Sequence, residues 1–340
     1  MLAYAQAGGD WSLVDNGRLT LRGTLEACVP RTTQNNNMPL RLAVIINARS
    51  GTSNQEAARL LLKDLFAANG IEATISLAQS GQEIIEFARR SMQGDAQTIV
   101  AGGGDGTINA IASVLAGTSK TLGVLPLGTL NHFAKDLGIP LDLESAARTI
   151  IAGHAIIIDV GEVNERIFLN NSSLGLYPRI VRHREQVQRL GHGKWPAFAW
   201  AALAILRRYP FIDVRLTAGA KELKTRTPFV FIGNNRCEME SFNIGRRARL
   251  DAGELSLYVT HRTDRLGLLL LGLRALFRRL RRTEDFVATT LSEVWIETRH
   301  SRASVSLDGE VAMLETPLHY RVRAGALRVI VPEESATGIA

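Results

Sequence analysis

A chain of 340 residues, 46% of them apolar, is long enough for about two domains and rich enough in core-forming side chains to exclude overall disorder. Its 40 Lys and Arg stand against 33 acids, a formal net charge of +7 that favours anionic partners such as nucleotide or an anionic lipid surface. No aromatic-interleaved basic motif or familiar recognition helix accompanies that charge, which argues against nucleic acid. Two cysteines, Cys28 and Cys237, provide neither a disulfide framework nor a metal-ligand spacing, and this suits a reducing cytoplasm. No apolar run reaches the ~18 residues that span a bilayer, and the first residues lack the pattern of a signal peptide. A soluble or peripheral protein is expected.

Residues 1–38 carry little pattern and read as a poorly ordered extension. Met38, at its end, is a candidate for the true start. Residues 41–46 form an apolar strand that runs into Asn47-Ala48-Arg49-Ser50-Gly51. Ser53 with Glu56 makes a capping box, opening a helix with Ala57, Leu61, Leu65 and Ala68 on one stripe and Asn69-Gly70 as its stop. Ile71, Ala73, Ile75 and Leu77 alternate as a second strand, and Ser80 with Glu83 caps a second helix carrying Ile84, Ile85 and Ala88.

The next stretch organises the rest. Residues 98–101 read as a buried strand, residues 102–106 as a glycine turn, and from Thr107 the apolar spacing becomes helical, with Ile108, Ile111, Ala112 and Leu115 on one face and Gly117 as a stop. Exposed N–H groups in such a turn, beside a helix N-terminus, suit phosphate. Two familiar loops are excluded. The Walker pattern needs Ser or Thr after Gly-Lys, and Gly193-Lys194 is followed by Trp195. The dinucleotide pattern, counted from Gly102 and Gly104, needs glycine where Thr107 stands. What remains is Gly103-Gly104-Asp105-Gly106-Thr107, with an acid inside a phosphate cradle. Bare phosphate would be repelled there, so Asp105 makes sense if a divalent cation accompanies the nucleotide or if the acid orients the transferring group.

A fourth strand at residues 121–125 leads to a turn with Pro126, Gly128, Thr129 and Asn131. Strand–helix alternation up to this point predicts a parallel sheet with helices on both faces, and ligands in such sheets bind beyond the carboxyl ends of the strands. Thr129 is then either a nucleotide contact or the N-cap of a helix with Asn131 in its first turn. His132 reads as a structural or cleft-lining histidine. After Pro140 and a short helix at residues 144–154, strands are predicted at 155–160, 166–170, 212–216, 229–232, 255–259, 294–298, 303–307 and 318–322, an antiparallel sandwich. Two apolar segments flanked by arginines, residues 195–206 and 266–280, read either as membrane-interface helices or as core helices with solvated basic ends. Val305-Ser306-Leu307-Asp308-Gly309-Glu310-Val311 reads as a hairpin with an Asp-Gly turn, which explains Asp308 and Gly309 but not Glu310.

Gly103 to Thr107 followed by Asn109, then Leu125-Pro126-Leu127-Gly128-Thr129-Leu130-Asn131 with Phe133-Ala134, then Leu307-Asp308-Gly309-Glu310, resemble in order the three signatures of the diacylglycerol kinase catalytic family. That family includes bacterial lipid kinases and sphingosine and ceramide kinases and is distantly related to NAD kinases. The resemblance runs from Leu40 to Pro332. It implies an α/β domain with a parallel sheet at residues 39–160 and a mainly antiparallel β-sandwich that takes the lipid at residues 161–333, its last strands packing back on the first domain. It implies ATP and Mg²⁺ as cofactors, with the nucleotide held by Asn47, Ser50, Gly51, Gly102, Gly103, Gly104, Asp105, Gly106, Thr107, Asn109, Gly128, Thr129 and Asn131. Asp105 would also serve the ATP-bound metal, and Glu310 would be the general base toward a lipid hydroxyl. The implied activity is an ATP-dependent lipid kinase acting on a lipid such as diacylglycerol. The expected location is cytoplasmic, peripheral on an anionic membrane, and a homodimer is allowed for. Departures from the family pattern are Ala48 for proline, Ala78 for a nucleotide-contacting threonine, and Ala252 directly before Gly253, where bacterial relatives place an aspartate that holds a structural magnesium. Either Asp251 shifts to substitute or the site is lost, since a hard cation needs carboxylate oxygen at close range. A kinase of a soluble acceptor and a non-catalytic nucleotide-binding membrane adaptor are the alternatives.

Overall fold

The computed structural model describes residues 40–50, 55–175, 211–236, 239–240, 243–244, 247, 249–260 and 286–335. The first part alternates strand and helix: β1 Leu40–Asn47, α1 Gln55–Ala68, β2 Ile71–Ala78, α2 Gly81–Met92, β3 Thr98–Gly103, α3 Asp105–Leu115, β4 Thr121–Pro126, then α4 His132–Asp136 and α5 Leu143–Ala152. The four strands pair in parallel in the order β2-β1-β3-β4. β1 and β3 are near-continuous runs of Val, Ile and Ala because helices cover both of their faces, and Val44, Ile46, Ile99 and Val100 are fully buried. The predicted face of α3 is the observed one, with Ile108, Ile111, Ala112 and Leu115 buried. Ser80 caps α2 by accepting from Glu83 N–H (3.2 Å), and Glu83 reaches back to Gln79 N–H (2.9 Å).

The stripe expected on α1 is corrected. Ala58, Leu62 and Phe66 are buried, whereas Leu60 and Leu61 are exposed. Three consecutive leucines allow several helical stripes, and the large ring of Phe66 selects the face one residue along. Ser53, the proposed cap, lies outside the described residues, as does Gly51.

The second part contributes β5 Ala155–Val163, β6 Arg166–Phe168, β7 Asn171–Gly175, β8 Ile212–Ala218, β9 Lys221–Thr227, β10 Phe229–Asn234, the two-residue strands β11 Met239–Glu240 and β12 Asn243–Ile244, β13 Leu255–Thr260, β14 Phe286–Leu291, β15 Glu293–Thr298, β16 Arg302–Leu307, β17 Glu310–Glu315 and β18 Leu318–Ile330. An antiparallel six-stranded sheet runs β14-β13-β10-β7-β16-β17. β15, β8 and β9 extend the first sheet through β18, giving ten strands in the order β2-β1-β3-β4-β18-β15-β8-β9, with β5 on β18 and β6 on β5. A second core lies between the two sheets, made by Phe168, Leu174, Val230, Ile232, Leu257, Val294, Val305, Leu318 and Tyr320. The fold is therefore the expected one, a parallel-sheet α/β part followed by a mainly antiparallel one. Gly161 falls inside β5, and the strand expected at residues 166–170 stops at Phe168, because the chain leaves one sheet after β6 and enters the other at β7, which begins only at Asn171. The two arginine-flanked segments at residues 195–206 and 266–280 lie outside the described residues. Among the described residues no helix is long and apolar enough to cross a membrane.

Candidate active site

β3 and β4 end side by side, and both turns that follow them are built on glycine. The backbones of Gly104 and Gly128 lie so close that a methyl on Gly128 would overlap Gly104 Cα, and one on Gly104 would stand 3.3 Å from Gly128 Cα. Leu127 N–H donates to Gly103 O across the same gap (3.0 Å). Gly104 caps α3 without a side chain, and the first helical bond runs from Ile108 N–H to Gly104 O (3.1 Å). The preceding N–H groups of α3 have no intrahelical acceptor, which leaves a dipole end suited to phosphate. The helix starts at Asp105, two residues earlier than the spacing predicts.

Several predicted site residues shape this turn from below. Asn47 donates to Thr107 Oγ1 (3.0 Å) and accepts from Arg49 N–H (3.0 Å), tying the end of β1 to α3. A side chain on Gly103 would collide with that same Thr107. Ser50 is buried, and its Oγ has no hydrogen-bond partner among the described residues. Asn131, in left-handed backbone at φ 51°, accepts from Gly128 N–H (3.0 Å) and donates to Gly128 O (2.8 Å). Thr129 is exposed and is not the helix cap; Asn131 occupies that position, with its side chain turned back into the loop. The first turn of α4 is instead held by Asp105, whose Oδ1 accepts from Phe133 N–H (3.1 Å).

Glu310 meets this turn from the other sheet. A methyl on Gly106 would overlap Glu310 Oε1 and stand 3.4 Å from its Cδ, so the carboxylate lies directly against the first turn of α3. Asp308 fixes it there. Its Oδ1 accepts from Asn170 N–H (2.8 Å) and Asn171 N–H (3.0 Å), and its Oδ2 from Leu169 N–H (2.7 Å) and Asn109 Nδ2 (2.6 Å). Burial pushes the Asp308 carboxyl above the usual range, and the three backbone donors and Asn109 pull it back. Asp308 thus does far more than turn a hairpin. Asn109, expected on the nucleotide, directs its amide to Asp308 and to Ile167 O (3.4 Å) instead.

Arg247 carried no sequence motif and is a second fixed point. Its buried guanidinium bonds Leu169 O (2.6 Å), Asn170 Oδ1 (3.0 Å) and Asn234 O (3.3 Å), and pairs with Asp136 (2.9 Å) at the end of α4. Burial raises the Asp136 carboxyl, opposed by the charge of Arg247. Asp105, α4, Arg247, residues 169–170, Asp308 and Glu310 therefore form one connected frame around the glycine turn.

The two proposed metal positions differ in fit. Asp105 uses one oxygen on Phe133 and has no hydrogen bond on the other among the described residues, which fits a Mg²⁺ that arrives coordinated to phosphate. Asp251 does not fit. Both of its oxygens face Arg249 (3.0 and 3.2 Å), and the adjoining turn is tied by Gly253 N–H to Asp159 (2.7 Å) and Ala252 N–H to Asn235 Oδ1 (3.0 Å). Among the described residues no three His, Cys, Asp or Glu side chains cluster as metal ligands.

Residues 41–163 match the sequence profile of the diacylglycerol kinase catalytic domain. That segment is of the diacylglycerol kinase catalytic family. The chain is similar to a "Probable lipid kinase YegS-like" of Klebsiella pneumoniae, 37% identical over 143 residues, 41% of this chain and 46% of that protein. It is also similar to a "Diacylglycerol kinase" of Staphylococcus carnosus, 25% identical over 232 residues, 67% of this chain and 74% of that one. The match thus spans under half the length of the YegS-type relatives. A putative diacylglycerol kinase from Bacillus anthracis has the same fold, with a TM-score of 0.69 at 20% identity, covering 87% of this chain and 99% of that structure. The matched segment ends with β5 at Val163, so Glu310 and Asp308 come from outside it and are brought to it by folding.

Proposed function

We propose that this chain is an ATP-dependent lipid kinase whose acceptor is a neutral glycerolipid of the diacylglycerol class. One observation carries the reading: the carboxylate of Glu310 lies against the phosphate-ready turn of α3. The triphosphate rests on the N–H groups at residues 104–107, with Asn47, Ser50, Thr129 and the Asn131-stapled turn framing the nucleotide. Glu310 takes the proton of the lipid hydroxyl, that oxygen bonds the γ-phosphorus, and the bond to the β-phosphate oxygen breaks with its electron pair leaving on ADP. Mg²⁺, when bound, neutralises charge on the transferring group. Asp105 would hold it. The lipid class comes from the relatives, and the net charge of +7 suits an anionic membrane surface.

The test is transfer from radiolabelled ATP to a lipid panel in mixed micelles, with NAD as a soluble acceptor and liposome flotation alongside. Label is expected in phosphatidic acid, and Glu310→Ala should lower transfer by about two to four orders of magnitude while ATP still binds. Label in NAD alone, or near-normal turnover by the variant, would overturn the reading.

A further inference from the structure

The Arg247 side chain is 1% exposed and engages all three of its guanidinium nitrogens. Nε and Nη2 face Asp136 Oδ2 (3.0 and 2.9 Å), Nη1 donates to Leu169 O (2.6 Å), and Nη2 donates also to Asn170 Oδ1 (3.0 Å). The peptide group between Leu169 and Asn170 is thus held from both ends, its C=O by Arg247 and its N–H by Asp308 Oδ1 (2.8 Å). A peptide dipole lined up between a guanidinium and a carboxylate is strengthened by both. Followed outward, these contacts close into a circuit. Asp136 ends α4, whose first turn gives Phe133 N–H to Asp105 (3.1 Å). Asp308 lies in the turn of the β16–β17 hairpin that opens β17 with Glu310. Asp105 and the carboxylate of Glu310 then meet at the first turn of α3. A buried ion pair adds little net stability over apolar side chains of its size. What the planar guanidinium adds is a fixed direction toward several acceptors at once.

We infer that Arg247 is a positioning residue, which closes this circuit and so sets the spacing between Asp105 on the nucleotide side and Glu310 on the acceptor side. The consequence for turnover rests on the lipid-kinase reading; the circuit itself does not. Two carboxylates brought to one helical turn repel each other, and the circuit holds them in register against that repulsion. Among the described residues, the polar contacts of Arg247 include none of the groups that frame the nucleotide, so it serves the chemical step and not ATP binding.

Arg247→Lys keeps the charge but cannot reach Asp136, Leu169 and Asn170 from a single nitrogen. Its kcat should fall about ten- to a hundredfold with the KM for ATP unchanged. In the Glu310→Ala background the same substitution should cost less than about twofold more, because the spacing then serves one acid only. Hydrogen exchange without substrate reads the circuit directly: protection of the Phe133 and Asn170 amides should drop together, about tenfold. Asp136→Asn, which cuts only the α4 arm, should show the same kcat loss and is the variant to use if Arg247→Lys does not fold. A wild-type kcat per folded molecule, a loss carried by the KM for ATP, a full multiplicative loss in the Glu310→Ala background, or loosening of only one of the two amides in Arg247→Lys would each overturn the inference. So would failure of both variants to fold, which would make Arg247 an anchor of stability alone. If wild type labels no lipid while the two amides still loosen together, the kinase reading fails and the circuit stands.

Discussion

Gly106 has no left-handed backbone to explain it; what requires glycine there is the carboxylate above it. Gly106→Ala is therefore expected to separate stability from activity. Alanine is the better helix former by about 0.5–1 kcal/mol, so the melting temperature should hold or rise. The methyl displaces Glu310 by an ångström or so, and kcat should fall about a hundredfold, since misplacement on that scale is costly to phosphoryl transfer. Asp308→Asn should do the opposite in part. An amide NH₂ would face two donors that now meet an oxygen, costing about 3 kcal/mol in urea unfolding, whereas Glu310→Ala leaves the urea midpoint near wild type. Asp105 stands out in the sequence as an acid inside a phosphate cradle, and Glu310 only through the family resemblance, since the Asp-Gly hairpin leaves it unexplained. The anchoring of Asp308 was not legible, because its three backbone donors come from residues 139, 138 and 137 positions earlier. An Asp-Gly pair looks the same in the sequence whether its carboxylate is solvated or clamped.

At the scale of elements, legibility followed how much of the pattern was local. Ser80 and Glu83 lie within one helical turn of each other, and the cap they predict is the cap observed. β7 was missed because Asn171-Ser172-Ser173-Leu174-Gly175 has no β-branched residue, yet it occupies the middle of the six-stranded sheet. Its strand character is imposed by β10 and β16 on either side, an override of propensity by tertiary pairing. β9 was hidden for another reason, since Lys221 to Thr227 form a charged edge strand that looks like a loop. The cap of α5 gives a pH prediction. Asp142 accepts from Ser145 N–H (2.8 Å), and this bond holds its carboxyl below the usual range. A depressed folded pKa contributes stability that is present above the unfolded value of 3.8 and is lost as pH falls through the lower folded one. The protection of the Ser145 amide, its exchange rate relative to the unfolded chain at the same pH, should therefore fall below about pH 4, and Asp142→Ala should lack that protection already at neutrality. Protection in the wild type that survives acid would remove the cap from that role.

For the whole molecule the decisive strand is the last one. β18 pairs with β15 near its start, runs beside β5 for most of its length, and joins β4 in parallel at Arg328 and Val329. A bulge between Arg323 and Leu327, with Gly325 at φ 61°, lets one strand follow neighbours on different lines. The α/β part and the antiparallel part thus share a backbone ladder, and one calorimetric transition is expected for residues 40–335 together. Leu327→Ala, which empties a position only 1% exposed, should cost about 2–5 kcal/mol and shift that transition as a unit. Two separable transitions would show the halves to be independent. The sequence predicted β18 only to Val322, because Arg323-Ala324-Gly325-Ala326 breaks the alternation at the bulge.

The position of β18 also bears on how the chain is made. β4 is complete once residue 126 has emerged from the ribosome, but the strand that closes its open edge comes only with residues 318–330. Until then the nascent protein presents a bare, apolar strand border to its surroundings, and such borders invite pairing with the wrong neighbour. Synthesis of this chain is thus expected to lean on chaperones through most of its elongation, and a ribosome stalled before the final strand should yield an insoluble product.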